Sequence, residues 1–120
     1  MDDSTHRIRL RGPWLAADGG RVRLPASWAE ALGGAGEGSL SRRFQRGSIS
    51  TEHDRVTVHA ESPHHLLGVT LNAAAIEPGA DDVAAMLQDS NTLEVRLRRS
   101  EPAGANPASV LEVWLEVEDG

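Results

Sequence analysis

The 120-residue chain contains no cysteine. A disulfide scaffold, a thiolate metal site and a cysteine nucleophile are therefore all excluded. Lysine and tyrosine are absent too, all 12 basic residues are arginine, and aromatic residues make up only 3% of the chain. Eighteen acidic residues outnumber the arginines, giving a net charge of −6. That balance argues against a nucleic-acid module with a broadly basic face. No apolar run approaches the roughly 18 residues that a membrane-spanning helix needs. The N-terminal MDDSTHRIRLRG has no apolar stretch of signal-peptide length, so the expected location is cytoplasmic.

What is present is alternation. The length suits a single domain over 1–120 that buries a core without staples, with 1–5 expected to fray. His6 to Arg11 places Ile8 and Leu10 on one face and three arginines on the other. Leu40 and Phe44 share a face in the next long segment, and Val56, Val58 and Ala60 do so after it. Further inward sets are Leu67, Val69 and Leu71, then Leu93, Val95 and Leu97, and finally Leu111, Val113, Leu115 and Val117. Such period-two runs at fairly regular spacing predict an antiparallel β-sandwich. Two short helical pieces are expected, one over Ala26 to Leu32 capped by Ser27, the other within Asp81 to Gln88. Glu101 to Pro107 reads as a loop.

The order of local motifs adds a second argument. GPW (Gly12–Trp14) precedes VRLPASW (Val22–Trp28), SRRF (Ser41–Phe44), VTLNA (Val69–Ala73), DVAAML (Asp82–Leu87) and NTLEVRL (Asn91–Leu97). This series resembles the galactose-binding-domain-like jelly roll at the N-terminus of glycoside hydrolase family 2 enzymes. The resemblance implies a jelly-roll sandwich and a sugar ligand. It brings no catalytic residue, because the acid and nucleophile of those enzymes lie in a separate barrel domain. Where the family has Asn-Gly, this chain has Asn72-Ala73, and in place of the family's aromatic-rich loop it has Ala73 to Ala80, a loop by that resemblance, with no aromatic residue.

The function expected is a non-catalytic binding module of the carbohydrate-binding type. Asn72, Arg43 and His64 would meet hydroxyl groups and Trp114 would stack on a ring, with no requirement that all four share one site. Trp114 has the parity of Glu112, Glu116 and Glu118, so it is expected on a polar face, covered by arginines from among Arg7, Arg9, Arg96 and Arg98. The alternative is a structural or protein-interaction domain, a homodimer included, that docks through Trp114. No metal or cofactor is expected. His53, His59, His64 and His65 cluster in sequence but lack tight ligand spacing. Asp81-Asp82 offers oxygen donors of the kind calcium takes, and an acidic helix start accounts for the same pair. Arg42 shares the inward parity of Leu40 and Phe44. A buried charge needs a partner, and Asp82 is the expected one.

Overall fold

Alternation builds the longest strands. In β8 (Ser90–Arg98) Asn91, Leu93, Val95 and Leu97 turn inward and are buried, while Thr92, Arg96 and Arg98 are exposed. In β9 (Glu112–Glu118) Val113, Leu115 and Val117 do the same. The computed structural model describes residues 5–16, 19–24, 26–33, 36–47, 49–99 and 110–118. The expected loop at Glu101 to Pro107 and most of the expected frayed start lie outside them.

Among the described residues the strands form two antiparallel sheets. The smaller has the order β1 (Thr5–Arg9), β9, β5 (Arg55–Glu61). The larger has the order β3 (Arg21–Val22), β2 (Trp14–Ala16), β4 (Glu37–Gln45), β8, β6 (His65–Leu71), β7 (Ala74–Ile76). Their inner faces share one core, in which Trp14, Leu40, Leu71, Leu93, Val56, Val58 and Leu115 are fully buried. Each such side chain contributes roughly 1.5–3 kcal/mol of transfer free energy. The fold is the all-β sandwich that the alternation predicts.

The helical pieces are shorter than their sequence windows. Helix α1 (Trp28–Leu32) starts at Ser27, whose hydroxyl accepts from the Glu30 amide at 3.2 Å while the Glu30 carboxylate accepts from the Ser27 amide at 2.9 Å. This reciprocal box fixes the entry of the helix and seats Trp28 and Ala31 in the core. The second piece is a single 3-10 turn at Ala84–Met86. One Asp82 carboxylate oxygen accepts both the Val56 amide (3.0 Å) and the Ala84 amide (3.1 Å), pinning the turn to β5. These two bonds hold the Asp82 carboxyl below its ordinary value.

Three expectations need correction. Ile8 is 42% exposed, because edge strand β1 faces an open gap at that level. Leu67 is 39% exposed, because the β6–β8 register shifts between Leu66 and Gly68 and takes Leu67 out of the alternation. Residues 73–80 are not all loop, since Ala74–Ile76 forms β7.

The β6–β7 hairpin turns on two residues, with Leu71 paired to Ala74 and positive φ at both Asn72 (52°) and Ala73 (69°). Both central residues of such a turn are left-handed. Asn tolerates that region, whereas Ala pays about 1–2 kcal/mol there. Ala73→Gly is therefore expected to stabilise the chain by about 0.5–1 kcal/mol, the greater freedom of unfolded glycine cancelling part of the gain. Urea unfolding checks this: the midpoint should rise with the slope unchanged. A midpoint at or below the parent's overturns the assignment of strain.

Candidate functional site

Cross-strand register assembles a polar groove on the outer face of the larger sheet. Ser41 of β4 lies opposite Glu94 of β8, which lies opposite Thr70 of β6. One row along, Arg43 lies opposite Thr92, and the Thr92 amide donates to the Asn72 side-chain oxygen at 2.9 Å. Ser41, Thr70, Asn72, Ala73, Thr92 and Glu94 line an open groove of about 410 Å³. Volumes of ~300–1,000 Å³ are typical of small-molecule sites.

Glu94 is half-buried in this groove, and among the described residues its carboxylate forms no hydrogen bond or ion pair. Arg43 and Arg96 are exposed on the same face, and neither side chain is paired among the described residues. The floor is thus three hydroxyls and a free carboxylate, with arginine at the rim. It can accept and donate hydrogen bonds on every side, but it offers no ring for stacking.

Arg43 and Asn72 each neighbour Thr92, one by register and one by hydrogen bond, whereas Trp114 and His64 lie elsewhere. Asn72 is already committed: its amide nitrogen donates to the Met86 carbonyl (3.2 Å) and to the Asn91 side-chain oxygen (3.0 Å). His64 lies in the turn between β5 and β6, buried, with its ring 4.7 Å from that of Trp28 in an edge-on contact.

Trp114 stands on the smaller sheet, and its predicted polar face is where it is found. The His59 ring stacks on it at 5.1 Å with an interplanar angle of 3°, and the Arg7 guanidinium lies 5.2 Å from its centroid. The Glu116 carboxylate joins the two, 3.2 Å from Arg7 Nη2 and 3.2 Å from His59 Nε2. Burial pushes the Glu116 carboxyl up, but the His59 charge, the indole N–H and Arg7 outweigh it and hold it below its ordinary value. Arg7 is one of the arginines expected over the indole. The histidine was not expected there, and Arg96 and Arg98 belong to the other sheet. A cleft beside Trp114, walled in part by Arg11, Leu24 and Leu111, measures only about 100 Å³.

The Arg42–Asp82 pair does not form. Arg42 Nη1 donates to the Arg43 carbonyl at 2.9 Å and Nη2 reaches the Gly12 carbonyl at 3.4 Å. One Asp82 oxygen is already taken by the Val56 and Ala84 backbone amides. The histidines disperse, with His53 and His65 exposed, and among the described residues no three His, Asp or Glu groups are placed to hold a metal. Asp81 accepts the Glu77 amide at 2.8 Å, a turn contact rather than a shared site with Asp82.

Sequence reasoning missed Glu94. Its only signal is an outward acidic residue on a strand, and its significance comes from the neighbours that pairing supplies. Among the described residues no helix is long and apolar enough to cross a membrane. Comparison with protein-family models, curated proteins and solved structures finds no match.

The buried histidine predicts a pH response. Burial, then the charges of Arg99 and His65, hold the His64 imidazole below its ordinary value of 6.5. The folded chain therefore binds this proton less readily than the unfolded chain. The stability involved is complete above pH 6.5 and is lost as pH falls through the folded value. Between pH 7.5 and 5.5 the urea midpoint should drop, and His64→Gln should flatten that drop. An equal drop in the variant assigns the proton to another group.

Proposed function

We propose that the chain is a soluble, cytoplasmic, non-catalytic binding module of the carbohydrate-binding type, with its ligand on the outer face of the larger sheet. The carrying observation is the half-buried Glu94 carboxylate, without a partner among the described residues and set among the hydroxyls of Ser41, Thr70 and Thr92. A hydroxyl-rich ligand answers this surface, because each sugar hydroxyl both donates and accepts. Glu94 accepts from vicinal hydroxyls, and Arg43 donates from the rim. Asn72 shapes the end of the groove. Without a stacking ring, affinity is expected in the millimolar range, about 4 kcal/mol.

Amide spectra titrated with simple sugars test the proposal. Shifts should cluster at Thr70, Thr92 and Glu94 and leave the Trp114 indole signal in place. Glu94→Gln should weaken binding about tenfold, the effect of losing roughly 1.4 kcal/mol of charge-assisted hydrogen bonding. Shifts centred on Trp114, or no loss in the variant, overturn it.

A second reading, a structural or protein-interaction domain with homodimerisation included, has its own observation. Leu15, Leu66 and Leu67 are exposed, and Leu15 lies in the same cross-strand row as Ser41 and Glu94. If no sugar moves any signal and the mass in solution is that of a dimer, this reading replaces the first.

A further inference from the structure

A second opening lies between the sheets. Where β1 passes β4 the sandwich leaves a cavity of about 390 Å³. Ile8, Leu10 and Leu115 line it from the smaller sheet's side, and Phe44 and Ile49 from the other. Ile8 remains 42% exposed here although its parity directs it inward. The apolar surface at this mouth is thus incompletely covered.

The same cavity holds an unanswered charge. Arg42 lines it between Leu40 and Phe44 on the inward face of β4. Among the described residues its guanidinium meets only backbone carbonyls, one of them at 3.4 Å, and its buried Nε has no hydrogen-bond partner. Arg46, which also lines the cavity, pairs with Asp89 at 3.1 Å, and that aspartate's side chain is 93% exposed. Among the described residues, no carboxylate lines this cavity. A half-buried cation with no carboxylate partner is costly, and an anion brought to it removes the cost. Guanidinium suits a carboxylate in particular, because two parallel N–H donors match its two oxygens. On a chain of net charge −6, this concentration of arginine beside apolar side chains selects for a ligand with both characters.

We propose that the cavity between β1 and β4 binds a small apolar carboxylate, its carboxylate on Arg42 and its hydrocarbon among Ile8, Phe44 and Ile49. The site opens beside β1 rather than on the outer face of the larger sheet; Arg43, at the rim of that groove, also borders this cavity, and the proposal does not use it. Its volume falls within the ~300–1,000 Å³ of small-molecule sites.

The sequence supplies the reporters. The chain has three isoleucines, and two of them, Ile8 and Ile49, line the cavity, while Ile76 stands on β7 at the far edge of the larger sheet. Its one phenylalanine, Phe44, also lines the cavity. The full chain is titrated with octanoate, octylamine and acetate while the isoleucine methyl and phenylalanine ring signals are followed. Octanoate should move Ile8, Ile49 and Phe44 together and leave Ile76 in place, and neither octylamine nor acetate should do so at the same concentration. Arg42→Gln should weaken octanoate at least tenfold. If that variant does not fold, Ile8→Glu, which sets a fixed carboxylate at the mouth, should produce the same loss. An equal response to octylamine overturns the proposal. So do a flat titration, an unchanged affinity in the variant, and methyl shifts that follow dilution of the ligand-free chain, which would seat a second copy there instead.

Discussion

The buried side chain of Asn91 is the point at which the larger sheet is tied together. Its oxygen accepts the Gln88 amide (2.8 Å) and the Asn72 side chain (3.0 Å), and its nitrogen donates to the Gln88 carbonyl (2.8 Å). Asn72 bonds in turn to Met86 and Thr92. One pair of amides thus fixes the β6–β7 turn, the segment after the 3-10 turn and the start of β8. Fully satisfied buried networks of this kind specify a unique arrangement, because each unmade bond costs its full desolvation. Since β8 pairs with both β4 and β6, its starting point sets which residues face the groove. Glu94 and Thr92 point outward because Asn91 points inward.

The sequence motifs that resemble a sugar-binding family turn out to be sites of internal bonding. Trp14 donates its indole N–H to the Leu10 carbonyl at 2.8 Å. Trp28 packs in the core against His64, Asp82 bridges a turn to β5, and Asn72 and Asn91 bond to each other. These residues account for an architecture. None of them needs a ligand to explain its place; the groove is lined instead by the outward-facing residues of the same motifs, among them Ser41, Thr70, Thr92 and Glu94.

What was legible in the sequence followed from burial on one side of a strand. The inward sets of β8 and β9, the Ser27 cap and the parity of Trp114 were all readable because each depends on neighbours a few residues away. Ile8 and Leu67 were misassigned because an edge position and a register shift belong to the pairing, not to the strand. Ala74–Ile76 escaped because Ala-Ala-Ile carries no alternation. Of the groove, Arg43 and Asn72 were picked out singly, but that both neighbour Thr92 needs the β4–β8–β6 register. Arg42 was correctly read as inward, and its supposed partner failed because Asp82 had nearer backbone donors.

The position of β9 bears on how the chain acquires its shape. Among the described strands of the smaller sheet β1 and β5 each pair with β9 and not with each other, and Thr5 and Arg55 both meet Glu118. Contacts such as Arg7 to Glu116 span 109 residues. Loop-closure entropy must be met before such pairings yield anything, which makes them slow. During synthesis every strand of the larger sheet emerges before β9, and so do β1 and β5. Until β9 leaves the ribosome those two strands lack the strand that joins them, and the larger sheet keeps its apolar face without a finished cover. The nascent chain therefore passes through an adhesive stage that ends when one late strand slots between two early ones.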